Sequence, residues 1–255
     1  MRAAVTAAGP AESLAVSRVA ATGAPVDLTL PAVLGEYRWY GSTRFAGPRL
    51  ARQFFLAPAG EHRAIPTHLM PGAREIRRSL RGADAVVFEA PDRSDSALVL
   101  AGPHHEATTW FGGPAPDAAG IERLLATFRF TDSTRGASLV PTSDLLVGQS
   151  DTALIGRNAG SVLIARPAVD VLPTLPDWAG LRLPGGELWR GGRVLPDADA
   201  ALVTGTAHQW RYILVGEDVA MDLVFLGPEA GRPALPLGED DLLAALAVLD
   251  GSWAG

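Results

Sequence analysis

Two stretches of this sequence follow one plan, and that plan constrains the fold more than any other feature. In residues 85–132, Ala85-Val86-Val87-Phe88 and Ala97-Leu98-Val99-Leu100 flank the turn-forming run Pro91-Asp92-Arg93-Ser94-Asp95, which predicts a β-hairpin. Gly102-Pro103 stops the second strand, and a helix is expected from about Asp117 through Leu124-Leu125-Ala126 to Asp132. The order recurs in residues 210–250: Tyr212-Ile213-Leu214-Val215, a turn at Gly216-Glu217-Asp218, Leu223-Val224-Phe225-Leu226, and Gly227-Pro228. A helix through Leu242-Leu243-Ala244 to Asp250 follows. A hairpin leaves an apolar face open, and the amphipathic helix after it folds back to cover that face. The expected fold is therefore α+β, mostly antiparallel sheet with few short helices. It would consist of two related hairpin-plus-helix units, 1–136 and 137–255, either separate or packed as one globule.

Between these stretches the chain reads as short strands and turns, as 28 glycines and 20 prolines in 255 residues require. Ser13-Leu14-Ala15-Val16-Ser17 alternates polar with apolar, and Pro25 and Pro31 bracket another extended piece. Strands are expected at Ala137–Val140, Leu145–Val147, Thr152–Ile155 and Ser161–Ala165. Val169 to Gly192 reads as an ordered loop that anchors Trp178 and Trp189 in the core. The alternative is a recognition loop, because an exposed tryptophan is costly without a partner.

All 22 basic residues are arginine, and there is no cysteine. A lysine-free chain has no Walker-type phosphate loop, pyridoxal Schiff base or kinase strand lysine. A cysteine-free chain has no thiolate zinc site, cysteine-ligated cluster or disulfide framework. Coding bias in a GC-rich genome explains the missing lysine; selection against amine modification is the alternative. No apolar run approaches a membrane span and no signal peptide is read, so a cytoplasmic protein without a cofactor is expected.

The segment Glu36–Gly82 differs in character, with nine arginines against three glutamates and interleaved aromatic rings that include Trp39 and Tyr40. Within it Pro71 to Arg81 reads as a short helix closed near Gly82, with Ile76 and Leu80 on one face. Arg74, Arg77, Arg78 and Arg81, with Trp39 and Tyr40, are the candidate partner-binding residues. The formal net charge of −6 speaks against nucleic acid and leaves an acidic protein or ligand as the better match. The blander account of the same residues is a core of aromatic rings behind a solvated arginine face.

The densest cluster of groups able to do chemistry is His104-His105-Glu106. Neighbouring side chains on an extended chain point to opposite sides, so His104 and His105 are poorly placed to share a metal unless His62 or His68 joins them. A loop leading into a strand over Glu106–Phe111 is the simpler reading. The segment Leu124-Leu125-Ala126-Thr127-Phe128-Arg129-Phe130 resembles the terminal helix of Mog1/PsbP-type α+β binding modules over about one element, and it carries no functional residue across.

These readings leave three classes. The first is a non-catalytic protein–protein interaction module: an adaptor, a chaperone or a subunit of a larger assembly. The second is a hydrolase or transferase using His104, His105 and Glu106. The third is nucleic-acid or acidic-ligand binding through Glu36–Gly82.

Overall fold

The computed structural model describes residues 12–47, 50–80, 83–142, 148–233 and 238–254. The first strands in chain order are β1 (Ser13–Val19), β2 (Pro25–Pro31), β3 (Arg38–Gly47), β4 (Leu50–Pro58), β5 (Arg74–Leu80) and β6 (Ala83–Glu89). Next come β7 (Ser96–Ala101), β8 (His105–Phe111), β9 (Phe128–Ser133), β10 (Gly136–Pro141), β11 (Gly148–Arg157) and β12 (Ser161–Pro167). The last are β13 (Leu181–Leu183), β14 (Gly186–Gly192), β15 (Trp210–Val215), β16 (Val219–Phe225) and β17 (Asp250–Trp253). The helices are short: α1 (Ala118–Leu125), α2 (Ala168–Val171), α3 (Asp197–Val203) and α4 (Glu239–Leu246). Every strand pairing described below is antiparallel, so the expected class, sheet with few short helices, is what forms. No helix among the described residues is long and apolar enough to cross a membrane.

Contacts divide the chain into two compact units. One takes Met1–Ser17, Val26–Tyr37 and Gly156–Gly255; the other takes Arg18–Pro25 and Arg38–Ile155. In the second unit the strands run in the order β11-β3-β4-β8-β7-β6-β5, with β9 and β10 as a separate pair. Both expected hairpins form: β6 pairs with β7 around the Pro91–Asp95 turn, and β15 pairs with β16 around Gly216–Asp218. The apolar run of β6 is continuous because both its faces are buried. Ala85 and Val87 join one cluster with Leu98, Leu100, Ala107 and Phe111, covered by Ile121, Leu124 and Leu125 of α1. Val86 and Phe88 join the opposite cluster with Ala97, Val99, Ile65 and Met70.

The helix α1 begins where its cap predicts, the Asp117 side chain accepting from the Gly120 N–H at 2.7 Å. It ends at Leu125 rather than running to Asp132. Phe128 instead starts a strand, its ring stacked on Phe45 at 5.6 Å and edge-on to Phe54 at 5.0 Å.

The expected helix over 71–81 is also corrected. Arg74–Leu80 is β5, paired with β6 with Arg74 opposite Glu89. Ile76 and Leu80 are four residues apart, a spacing that satisfies a strand as well as a helix. The open edge of β6 settles the choice by supplying a hydrogen-bonding partner along the segment. The strand expected at Leu145–Val147 lies outside the described residues.

In the first unit β13-β14-β15-β16-β12 form one sheet and β1-β2-β17 a second. Leu163, Tyr212, Leu214, Met221, Leu223 and Phe225 are buried on one face of the larger sheet. The other face carries a smaller cluster of Ala168, Trp189, Val215 and Ala220.

Candidate functional site

The His104-His105-Glu106 cluster sits where β8 begins, and the pleat of that strand separates its members. His105 lies on the face covered by α1, where its Nδ1 is 2.8 Å from Asp132 Oδ1 on β9. Asp132 Oδ2 accepts the backbone N–H groups of His104 at 2.7 Å and His105 at 3.1 Å. Burial opposes ionisation of Asp132. The His104 N–H together with the ring and N–H of His105 outweighs it and holds the carboxyl below its ordinary value. A side chain on Gly102 would collide with this carboxylate, since a Cβ there falls 2.9 Å from Asp132 Cγ. Asp132 thus clasps the turn between β7 and β8.

Glu106 points to the opposite face and is buried. Its Oε1 accepts the His62 N–H at 2.5 Å, and its Oε2 accepts the Gly60 N–H at 2.8 Å and lies 2.7 Å from His62 Nδ1. That clasp fixes the 3-10 turn Glu61–Ala64 beneath Phe88, whose ring centroid is 6.2 Å from that of His62. His104 and His68 are exposed. The histidines therefore do not converge, and among the described residues no three His, Asp or Glu side chains gather as metal ligands. A histidine–carboxylate pair is part of a general-base arrangement, but here each carboxylate also holds two backbone N–H groups. The cleft at His105, lined by Arg18, Trp39, Tyr40 and Arg135, has a volume of about 20 Å³, room for a single water.

The arginines of β5 are arranged differently. Strand alternation puts Arg74, Ile76 and Arg78 on one face and Arg77 on the other, where Arg77 Nε meets Glu75 Oε1 at 2.6 Å. Ile76 packs against the α1-covered core. Arg78 is half-buried, and its Nε has no hydrogen-bond partner among the described residues. Arg81 lies outside the described residues. Trp39 and Tyr40 belong to β3, and β4, β8, β7 and β6 stand between them and β5. Trp39 is buried, with the Arg18 guanidinium 5.4 Å from its ring. The position of β5 matters most: it ends the strand order, so one of its edges pairs with β6 and the other pairs with no strand among the described residues.

Sequence reasoning missed Glu89 and Arg93, which flank β5 at its Arg74 end. It also left Trp178 and Trp189 as one reading, where the structure divides them. Trp189 is buried and Trp178 is 62% exposed. No sequence signal separates the two tryptophans, because the difference arises from packing on β14. Comparison with known proteins finds no matching family model, curated protein or solved structure.

Proposed function

We propose that this chain is a non-catalytic protein-interaction module that takes an extended acidic segment of a partner alongside β5. The observation that carries the reading is the stripe Arg74-Ile76-Arg78 on one face of a terminal strand. A strand added to a sheet edge lies about 4.8 Å away and repeats its faces every second residue. Acidic residues four apart would then oppose Arg74 and Arg78, with an apolar residue between them opposite Ile76. Backbone hydrogen bonds to the open edge provide the general attraction, and the guanidinium groups select for carboxylates. Arginine on an edge also deters strands without acids, so one stripe serves binding and selectivity together. The two hairpins, each closed by a Gly-Pro step, support the further reading of the scaffold as a duplicated unit.

The test uses a labelled synthetic peptide repeating glutamate, threonine, valine and threonine, with binding followed by fluorescence anisotropy. The wild-type chain is expected to bind it, more weakly as salt rises, and Arg78→Glu to lose it while keeping its circular dichroism. A peptide with prolines in place of the threonines lacks the N–H groups an added strand needs. Equal binding of the proline and threonine peptides would rule strand addition out.

A further inference from the structure

Glu89, the last residue of β6, has a nearly buried carboxylate at the end of β5. One oxygen accepts the Ala115 N–H at 2.9 Å. The other is shared by two guanidinium groups, Arg93 Nε at 3.3 Å and Arg74 Nη2 at 3.7 Å. Neither arginine makes the bidentate pair that its planar fork favours, and their side chains are 67% and 68% exposed. Together with Ala90 and Pro91 they line an open cleft of about 450 Å³. The acids of the same turn are engaged elsewhere: Asp92 accepts from the N–H and hydroxyl of Ser94, and Asp95 accepts from the Ser96 N–H. Two cations thus face the cleft over one carboxylate, with donors left over.

The backbone at Arg93 adds an independent observation. Its φ is +59°, the left-handed conformation that glycine takes without steric cost and that side chains rarely adopt. The turn holds it there, with the Arg93 N–H donating to Ala90 O at 2.9 Å and the Ala90 N–H to Asp95 O at 3.0 Å. Arginine is present where the turn favours glycine, and its guanidinium is turned toward Glu89.

We propose that Arg74 and Arg93 form a seat for a carboxylate side chain of the extended segment that adds to β5. This rests on the reading of β5 as a docking edge, and it fixes one end of the docked segment. The partner presents an acid at the position next to Arg74, and both guanidinium groups donate to it while Glu89 holds them apart. The charge that selects the segment and the charge that sets its register are then the same.

The test compares the full chain with Arg93→Gly and Arg78→Glu, using the glutamate–threonine–valine–threonine peptide and a version whose end acid is glutamine. Arg93→Gly is expected to keep or raise the melting temperature and to weaken the glutamate peptide about tenfold, the size of one lost charged hydrogen bond. It should leave the glutamine version unchanged. If Arg93→Gly binds both peptides as wild type does while Arg78→Glu binds neither, the seat is wrong and the edge reading stands. If neither substitution matters, both readings fall. Free glutarate binding as tightly as the peptide would mark the cleft as a small-acid site and overturn the peptide assignment.

Discussion

His105 and Asp132 meet at 2.8 Å from strands that the sequence separates by helix α1, and the same carboxylate holds the N–H groups of His104 and His105. That makes Asp132 an acid-sensitive clasp. Its folded-state pKa lies below the ordinary 3.8, so on acidification the unfolded chain takes up this proton first. The clasp's contribution is complete above the ordinary carboxylate range and is lost as pH falls through the folded pKa. Asp132→Asn should cost about 2–3 kcal/mol at neutral pH. The gap from wild type should shrink as pH falls through and below ~4. Urea unfolding of both proteins across that range measures it; a gap that stays constant would show that Asp132 is not the clasp.

Gly102→Ala places a methyl group against that carboxylate, which its three donors prevent from moving aside. A loss of about 2 kcal/mol is expected. In an Asp132→Ala background the same change should cost under ~1 kcal/mol, because the obstacle is gone. Thermal melts of the four proteins in the cycle give the coupling directly.

Arg193 is the corresponding anchor of the other unit. Its Nη1 donates to His208 O at 2.7 Å, Phe225 O at 3.1 Å and Glu229 Oε1 at 2.7 Å. Burial works against ionisation of Glu229, yet the Arg193 bond and the Gly227 N–H hold its carboxyl below the ordinary range. Arg193→Met strands this buried acid and should cost about 3–5 kcal/mol, whereas pairing it with Glu229→Leu should recover most of the loss. Equilibrium unfolding of the single and double variants reads the difference.

Trp189 donates its indole N–H to the Trp178 carbonyl at 2.9 Å, so the two tryptophans are joined by the backbone of one and the ring of the other. Trp178→Phe should change stability by less than ~0.5 kcal/mol and remove much of the fluorescence that iodide quenches. Trp189→Phe should leave quenching in place and cost about 1–2 kcal/mol through the lost hydrogen bond and poorer packing. Stern–Volmer plots alongside unfolding curves separate the two roles.

The hairpins and the start of α1 were legible because their signals are local. A turn-rich run between apolar segments marks a hairpin, and an aspartate before an apolar stripe marks a cap. The β5 segment misled because its two apolar residues stand four apart, which both periods accept; only a neighbouring strand decides between them. The fates of His105 and Glu106 were also illegible, since their partners Asp132 and His62 come from other elements and opposite faces of the sheet. Strand alternation did foretell that adjacent members of the cluster would diverge. Arg93 was legible as a turn residue, but its φ and its distance to Glu89 were not.

The pairing of β17 with β2, Trp253 opposite Val26 and Asp250 opposite Thr29, bears on how the protein is made. Translation proceeds at about 5–20 residues per second, so β2 leaves the ribosome on the order of ten seconds or more before its partner strand exists. The unit built from Arg18–Pro25 and Arg38–Ile155 draws all its own residues from before Gly156, so its sequence is complete while the chain is still growing. The other must keep Val26, Leu28 and Leu30, all buried in the folded unit, away from wrong contacts until β17 emerges. Truncations that lack β17 should therefore be more prone to aggregation than their small size suggests.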